Sequence, residues 1–167
     1  LGFFVGKQLK KHGYNIIGFK NSKPNAKYSF PVFFKKNSLK KFLRQSDVLI
    51  CILPSTSETH HMINGNFLKE MKKKALLINV GRGSTFHEKA LIAHLKKYKQ
   101  FYASLDVFEK EPLPKSSPLW KFPNVTVTPH IGSLTVVDTA VKYMYKKYQQ
   151  YKKNGKIKND VNLLKGY

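Results

Sequence analysis

Residues 75–83, Ala-Leu-Leu-Ile-Asn-Val-Gly-Arg-Gly, join a short apolar run to a glycine-rich turn. The run Ala75–Val80 predicts a buried strand, which Gly81-Arg82-Gly83 ends. Similar apolar runs lie before and after it, over Asp47–Leu53, Phe101–Val107 and Val125–Thr128. The chain is therefore predicted to hold several short strands, each followed by a turn.

Helical patterns separate these strands. Ser38 is predicted to cap a helix that runs to Arg44. The other predicted helices are Leu1–His12, Asn64–Lys73, His87–Tyr98 and Ser133–Lys153, and two further strands are predicted over Tyr14–Phe19 and Val32–Phe34. Strands that alternate with helices predict an α/β fold with a doubly wound, mostly parallel sheet. In such sheets ligands bind beyond the carboxyl ends of the strands.

The net charge of +22 raises the alternative of a nucleic-acid-binding domain. Nearly all of this charge is lysine, since Arg44 and Arg82 are the only arginines, and the lysines are scattered along the chain. A hydrophobic fraction of 41% indicates a folded domain. No apolar run approaches the roughly 20 residues that a membrane span needs. We therefore expect neither a nucleic-acid nor a membrane partner.

The cysteine and histidines give little sign of metal or thiol chemistry. Cys51, the single cysteine, lies in an apolar run and is predicted to be a core residue, which favours a cytoplasmic protein. His60 and His61 are adjacent, with no cysteine or paired carboxylates nearby, so no metal site is expected. His94 is predicted to lie on a helix surface or at a helix end.

Three groups with catalytic chemistry directly follow predicted strands. Arg82 follows Ala75–Val80, Asp106 ends Phe101–Leu105 with Glu111 in the loop beyond, and His130 follows the strand that ends at Thr128. Each of these side chains is a common surface residue when taken alone. Their joint position predicts a cation, carboxylates and an imidazole at one edge of the sheet.

These residues lie in segments that resemble three signatures of the D-2-hydroxyacid dehydrogenases, in the same order and with the same spacing. The segments are Asn79–Gly83 (NVGRG), Leu105–Leu113 (LDVFEKEPL) and Thr128–Ser133 (TPHIGS). Leu53–Thr59 resembles the loop after the fourth strand of that family. Ser117–Trp120 and the closing Gly166-Tyr167 are similar to its glyoxylate/hydroxypyruvate reductase branch.

The resemblance implies reduction of glyoxylate, hydroxypyruvate or a similar 2-keto acid. His130 would be the general acid. Glu111 would orient His130 and favour its protonated form. Arg82 would hold the substrate carboxylate through a guanidinium fork. Asp106 would face the nicotinamide carboxamide.

The resemblance also implies a dinucleotide cofactor. Gly2 matches the third glycine of the Gly-x-Gly-x-x-Gly loop, so the first strand and the first two glycines are missing from this sequence. The segment Phe19–Lys23 contains no acid for a ribose 2′-hydroxyl, while Lys20 and Lys23 suit a 2′-phosphate, so NADP(H) is favoured and NAD(H) stays possible. The implied cofactor contacts are Gly2, Lys20, Asn21, Lys23, Leu53, Pro54, Thr59, Val80, Gly81, Asp106 and Gly132.

The predicted organisation is a nucleotide-binding domain over residues 1–134 and a segment over 135–167 that returns to a mostly missing substrate domain. The resemblance implies a homodimer for the full-length form. We expect the 167 residues alone to be inactive. Two alternatives stay open: a truncated, non-enzymatic descendant or nucleotide-binding module, and the basic nucleic-acid-binding domain.

Overall fold

The computed structural model describes residues 1–24, 27–133 and 136–157. Five helices and six strands alternate over these ranges, with short 3₁₀ turns at Gly83–Thr85 and Pro118–Lys121. The helices are α1 (Gly2–Lys11), α2 (Lys36–Gln45), α3 (Gly65–Glu70), α4 (Glu88–Lys97) and α5 (Val137–Asn154). The strands are β1 (Gly18–Lys20), β2 (Val32–Phe34), β3 (Val48–Cys51), β4 (Leu76–Asn79), β5 (Tyr102–Leu105) and β6 (Val125–Val127).

All strand pairs are parallel, which confirms the predicted α/β class. Strands β3, β4, β5 and β6 form one sheet in that order, and β1 pairs with β2 in a second sheet. Among the described residues, no strand pairs with the free edges of β1 and β3. A doubly wound sheet of the order 3-2-1-4-5-6 has its first strand between the strands that correspond to β1 and β3. The topology therefore agrees with the prediction that the first strand is missing from this sequence.

The core of the four-stranded sheet contains many buried leucines and a few phenylalanines. Leu77 of β4 and Leu105 of β5 are fully buried, and Leu68 of α3 and Leu91 and Leu95 of α4 join the same cluster. Burying one leucine side chain stabilises a fold by about 2 kcal/mol. The apolar runs identified in the sequence therefore supply the packing that holds β3–β6 together.

Helix α2 contacts both sheets. The Phe42 ring lies 5.5 Å from the Phe19 ring of β1 and 6.0 Å from the Phe33 ring of β2. Phe42 and Leu43 are themselves buried in the cluster that covers β3–β6. At the end of the same helix, Arg44 donates a hydrogen bond to Glu70 of α3 at 2.9 Å. Helix α2 thus packs against the two-stranded sheet through the Phe42 ring and joins the core of β3–β6 through Phe42 and Leu43.

Two local predictions are wrong. Ser38 does not cap α2, because the helix begins at Lys36 and the Ser38 hydroxyl donates to the carbonyl of Phe34 at 2.6 Å from inside the first turn. His94 lies in the last turn of α4, as a helix-end residue would, but the expected surface position is wrong, because its ring is buried 4.6 Å from those of Tyr98 and Phe101. Burial, followed by the nearby Lys97 charge, lowers the pKa of His94.

Helix α5 stands apart from the core. None of its described residues is buried, and Val137, Met144 and Tyr145 are more than half exposed. The predicted domain boundary falls on residues 134 and 135, which lie outside the described residues, as do residues 158–167 and their Gly166-Tyr167 motif. Within the described ranges, no helix is both long and apolar enough to cross a bilayer.

Candidate active site

The carboxyl ends of β4, β5 and β6 align at one edge of the sheet. Asn79, the last residue of β4, is level with Leu105 of β5, which in turn is level with Val127 of β6. Arg82, Asp106 and His130 therefore leave the sheet on the same side, one to three residues beyond these strand ends. The register explains how residues nearly fifty positions apart in sequence come to share a site.

The turn that carries Arg82 is held by Asn79, a fully buried amide that the sequence reasoning left without a role. The Asn79 side-chain oxygen accepts a hydrogen bond from the Gly81 amide at 3.1 Å. Its nitrogen donates to the Thr85 hydroxyl at 3.2 Å, and that hydroxyl donates to the Arg82 carbonyl at 2.6 Å. A polar residue in an otherwise apolar strand was the available sequence clue to this role.

The two glycines beside Arg82 let separate loops approach the turn. A Cβ at Gly81 would lie 2.6 Å from the Leu53 carbonyl oxygen, and a Cβ at Gly83 would lie 1.8 Å from that of Phe108. Both positions are therefore filled by backbone. Arg82 itself is exposed, and its guanidinium donates to the Gly81 carbonyl at 2.7 Å. No other hydrogen bond of this guanidinium occurs among the described residues, so its remaining donors face solvent.

His130 and Glu111 form a direct pair. His130 Nδ1 lies 2.7 Å from Glu111 Oε2, and both side chains are partly exposed. The other Glu111 oxygen accepts from the Phe108 amide at 2.9 Å. Burial raises the pKa of Glu111, but the hydrogen bonds from His130 and Phe108 outweigh it and hold that pKa below its ordinary value. The glutamate is thus kept ionised beside the imidazole.

Asp106 holds the loop on which His130 is carried. Its carboxylate, which is 5% exposed, accepts from the Thr128 hydroxyl at 2.5 Å and from the amides of Ile131 and Gly132 at 3.0 and 2.8 Å. Burial raises the pKa of Asp106, and these three hydrogen bonds reverse the effect and lower it. They span His130, which has a left-handed φ of 54°. The predicted contact between Asp106 and a nicotinamide stays a prediction.

The implied cofactor contacts occupy the starts and ends of elements. Gly2 begins α1, Lys20 ends β1 with Asn21 and Lys23 beyond it, and Leu53 and Pro54 follow β3. Thr59 lies in the loop after β3, and its side chain forms hydrogen bonds within that loop. Its hydroxyl donates to the Pro54 carbonyl at 2.6 Å and accepts from the Thr56 amide at 2.9 Å.

Three features of this edge fit a dinucleotide. Gly2 opens a ten-residue helix whose first-turn amides suit a phosphate, and a Cβ built there meets nothing within 4 Å. Lys20 and Lys23 add positive charge at the end of β1 and just beyond it. Val80, directly after β4, is 38% exposed and offers an apolar surface. Gly2, Lys20, Lys23 and Val80 are therefore the residues that would hold such a cofactor.

The paired histidines do not form a metal centre in the described part of the chain, where no group of three or more metal-ligating side chains converges. The rings of His60 and His61 stack at 3.9 Å, and His61 Nε2 lies 3.2 Å from Glu109 Oε1.

The family model for the D-isomer-specific 2-hydroxyacid dehydrogenase NAD-binding domain matches residues 1–132. The chain belongs to this family. The chain is 37% identical over its whole length to glyoxylate/hydroxypyruvate reductase A of Escherichia fergusonii and 36% identical to that of Citrobacter koseri. It spans about half the length of these relatives, 53% in both cases.

Solved structures of the same family are similar to this chain in fold. A D-isomer-specific 2-hydroxyacid dehydrogenase from Xanthobacter autotrophicus Py2, in complex with NADPH and MES, superposes with a TM-score of 0.91 at 35% identity, over 98% of this chain and 67% of that one. An NADPH-dependent glyoxylate/hydroxypyruvate reductase from Sinorhizobium meliloti, in complex with NADP and sulfate, has a TM-score of 0.91 at 28% identity, over 100% and 54%.

Proposed function

We propose that the protein reduces glyoxylate, hydroxypyruvate or a similar 2-keto acid to the corresponding 2-hydroxy acid, with NADPH as reductant. The observation that carries the proposal is the contact between His130 Nδ1 and Glu111 Oε2 at 2.7 Å, at the same sheet edge as Arg82. Reductases with these substrates in their names are similar to the chain throughout its length.

His130 is the proposed proton donor. Because Nδ1 is bound to Glu111, Nε2 is the ring nitrogen left to give a proton to the substrate carbonyl oxygen. The ionised Glu111 stabilises the protonated ring before transfer and fixes its orientation. NADPH, when bound, supplies the hydride, while the protein positions the substrate and the proton.

Arg82 is the proposed substrate anchor. Its exposed guanidinium offers a planar fork that can bind a carboxylate through two parallel hydrogen bonds, which a lysine ammonium does not reproduce. The buried Asn79 and the backbone contacts at Gly81 and Gly83 fix the turn from which this side chain extends. A rigid turn reduces the entropy that must be lost when the substrate is oriented.

NADPH is the proposed cofactor because Lys20 ends β1, Lys23 lies just beyond it, and the segment between them contains no acid. The Xanthobacter and Sinorhizobium structures, which contain NADPH and NADP, support this choice.

The free, buried Cys51 is in keeping with the proposed cytoplasmic location. A homodimer of the complete protein is part of the proposal, and its test is the molar mass in solution.

The decisive experiment is steady-state kinetics on the protein expressed from the complete reading frame that contains this chain. Glyoxylate and hydroxypyruvate should both be reduced, with a higher kcat/KM for NADPH than for NADH. Glycolaldehyde is the matched control substrate, because it keeps an aldehyde and lacks the carboxylate that Arg82 is proposed to bind. A protein that binds NADPH but reduces neither keto acid would support the non-enzymatic alternative instead.

For the 167 residues alone we expect no turnover. The facing edges of β1 and β3 have no strand between them among the described residues, and Gly2 is the one glycine of the predicted phosphate loop present in the sequence. Glyoxylate reduction by this chain at the rate of the complete protein would contradict that expectation.

A further inference from the structure

The segment after β1 contains no acidic residue in its own sequence. In the structure, an acidic side chain from a different loop lies beside this segment. Asn21 directly follows β1, and its side-chain nitrogen donates a hydrogen bond to Glu58 Oε2 at 3.0 Å. Glu58 lies 37 residues further along the chain, in the loop after β3. A carboxylate therefore lies beside the position where a dinucleotide-binding fold distinguishes a ribose 2′-hydroxyl from a 2′-phosphate.

The position of Glu58 is fixed by the turn that contains it. The Thr59 hydroxyl donates to the Pro54 carbonyl at 2.6 Å, and the His60 amide donates to the Thr56 carbonyl at 2.9 Å. The Thr56 amide also donates to the Thr59 hydroxyl at 2.9 Å. These bonds close a compact loop around Glu58, so the backbone presents its side chain towards Asn21 from a defined place.

The charge of Glu58 is not neutralised by a neighbouring cation. None of the ion pairs within the described residues includes Glu58, and Lys20 and Lys23 form none with it. An ionised carboxylate accepts hydrogen bonds and cannot donate them. It can thus accept from a ribose hydroxyl or from Asn21, whereas a phosphate at the same place is repelled.

We propose that Glu58 is a specificity-determining residue that weakens binding of the 2′-phosphorylated cofactor, an inference that rests on the reductase function proposed above. Its carboxylate accepts the hydrogen bond that the Asn21 side-chain nitrogen donates. Its negative charge repels a 2′-phosphate. Lys20, Lys23 and the absence of an acid from Phe19–Lys23 together predict a preference for NADPH over NADH. Because of Glu58, that preference is smaller than these residues alone predict. Removing the Glu58 charge increases that preference.

The size of the effect follows from Coulomb's law in a solvated site. A phosphate monoester carries a charge of about −2, and an exposed carboxylate beside it corresponds to roughly a tenfold change in affinity after solvent and salt screening. NADH has no such group, so its affinity changes little, and it falls if Glu58 accepts from the ribose hydroxyl. The ratio of the two dissociation constants is therefore the quantity to measure.

The test compares Glu58→Gln with Asp47→Asn in the protein expressed from the complete reading frame. Asp47 precedes β3 and Glu58 follows it, so the control removes the same charge at the opposite end of the strand. NADPH and NADH are titrated separately by fluorescence of the bound nicotinamide, and 2′,5′-ADP and 5′-ADP by calorimetry. We expect Glu58→Gln to raise the NADPH-to-NADH affinity ratio roughly tenfold and Asp47→Asn to leave it unchanged.

The outcomes separate this inference from the proposed function. If the wild-type protein binds NADPH and reduces glyoxylate while Glu58→Gln and Asp47→Asn have the same cofactor ratio, the role of Glu58 is wrong and the reductase function stands. If Glu58→Gln shifts the ratio in a protein that binds NADPH without reducing any keto acid, the role of Glu58 stands alone. Binding of neither cofactor by the wild-type protein overturns both.

Discussion

Gly83→Ala is expected to disturb the protein more than any other single methyl group added to the Arg82 turn. The new Cβ would lie 1.8 Å from the Phe108 carbonyl oxygen and 2.0 Å from its carbonyl carbon, whereas ordinary contact begins at 3.4 Å. The two backbones must therefore separate by about 1.6 Å. No rotamer change relieves such a contact, because the backbone of residue 83 fixes the position of the Cβ and its partners in Phe108 are main-chain atoms.

The displacement reaches the His130–Glu111 pair through one residue, Phe108. The Phe108 amide donates to Glu111 Oε1 at 2.9 Å, and Glu111 Oε2 lies 2.7 Å from His130 Nδ1. A shift of Phe108 on the scale of an ångström breaks or lengthens both bonds. Overpacking of this kind costs about 3 kcal/mol, which for a chain of this size lowers the melting temperature by about 6 to 12 °C.

Thermal unfolding followed by circular dichroism tests this expectation against Gly65→Ala. Gly65 begins α3, has a negative φ, and has open space where a Cβ would be placed, so its substitution should leave the melting temperature unchanged or slightly higher. The same purified proteins are then assayed for glyoxylate reduction. A Gly83→Ala variant that melts within about 2 °C of wild type, which corresponds to a destabilisation of no more than about 1 kcal/mol, would refute the backbone-contact argument.

Three further predictions concern the site. His130→Ala should lower kcat by about 100-fold or more, the usual contribution of a general acid, and an unchanged kcat would remove His130 from that role. Arg82→Lys should raise KM for glyoxylate and lower kcat, since the charge stays and the fork is lost; wild-type kinetics would contradict the anchor. Because the pKa values of Asp106 and Glu111 are lowered in the fold, their stabilisation is present above the ordinary values of 3.8 and 4.5 and is lost as pH falls through the folded values. Urea unfolding at a series of pH values should show this loss, with a shallower dependence in Glu111→Gln.

The strands were predictable because burial leaves a clear pattern in the sequence. The apolar runs at Asp47–Leu53 and Ala75–Val80 contain β3 and β4, and the structure trims each by a few residues where pairing stops. Arg82 and His130 were found for a related reason, since each follows a strand and parallel strands end at a common edge. The local hydrophobic pattern was sufficient to predict the strands, and the rule on strand ends was sufficient to predict that Arg82 and His130 lie at one edge of the sheet.

The failures involve contacts that local pattern does not contain. Ser38 has the residue type of a helix cap, yet the backbone turns at Lys35, whose φ is 66°, and Ser38 falls inside the helix. His94 is polar and on an amphipathic helix, but its ring packs between two aromatic neighbours. The contact of Glu58 with Asn21 depends on how two loops meet across the gap between the sheets, so neither segment predicts it alone.

The sequence Gly81-Arg82-Gly83 shows why the support of a site is harder to predict than its chemistry. Glycines beside an arginine are compatible with any exposed turn, and the sequence offers no reason to prefer another explanation. In the structure each glycine touches the backbone of a different loop, Leu53 after β3 and Phe108 after β5. Through Gly83, the turn that carries the proposed substrate anchor packs against Phe108, whose amide donates a hydrogen bond to Glu111 in the same loop. Because the Arg82 turn and the His130–Glu111 pair share Phe108, a change at Gly83 should reduce the proposed substrate binding and proton transfer together, while a change in the Arg82 side chain alone should leave the His130–Glu111 contact intact.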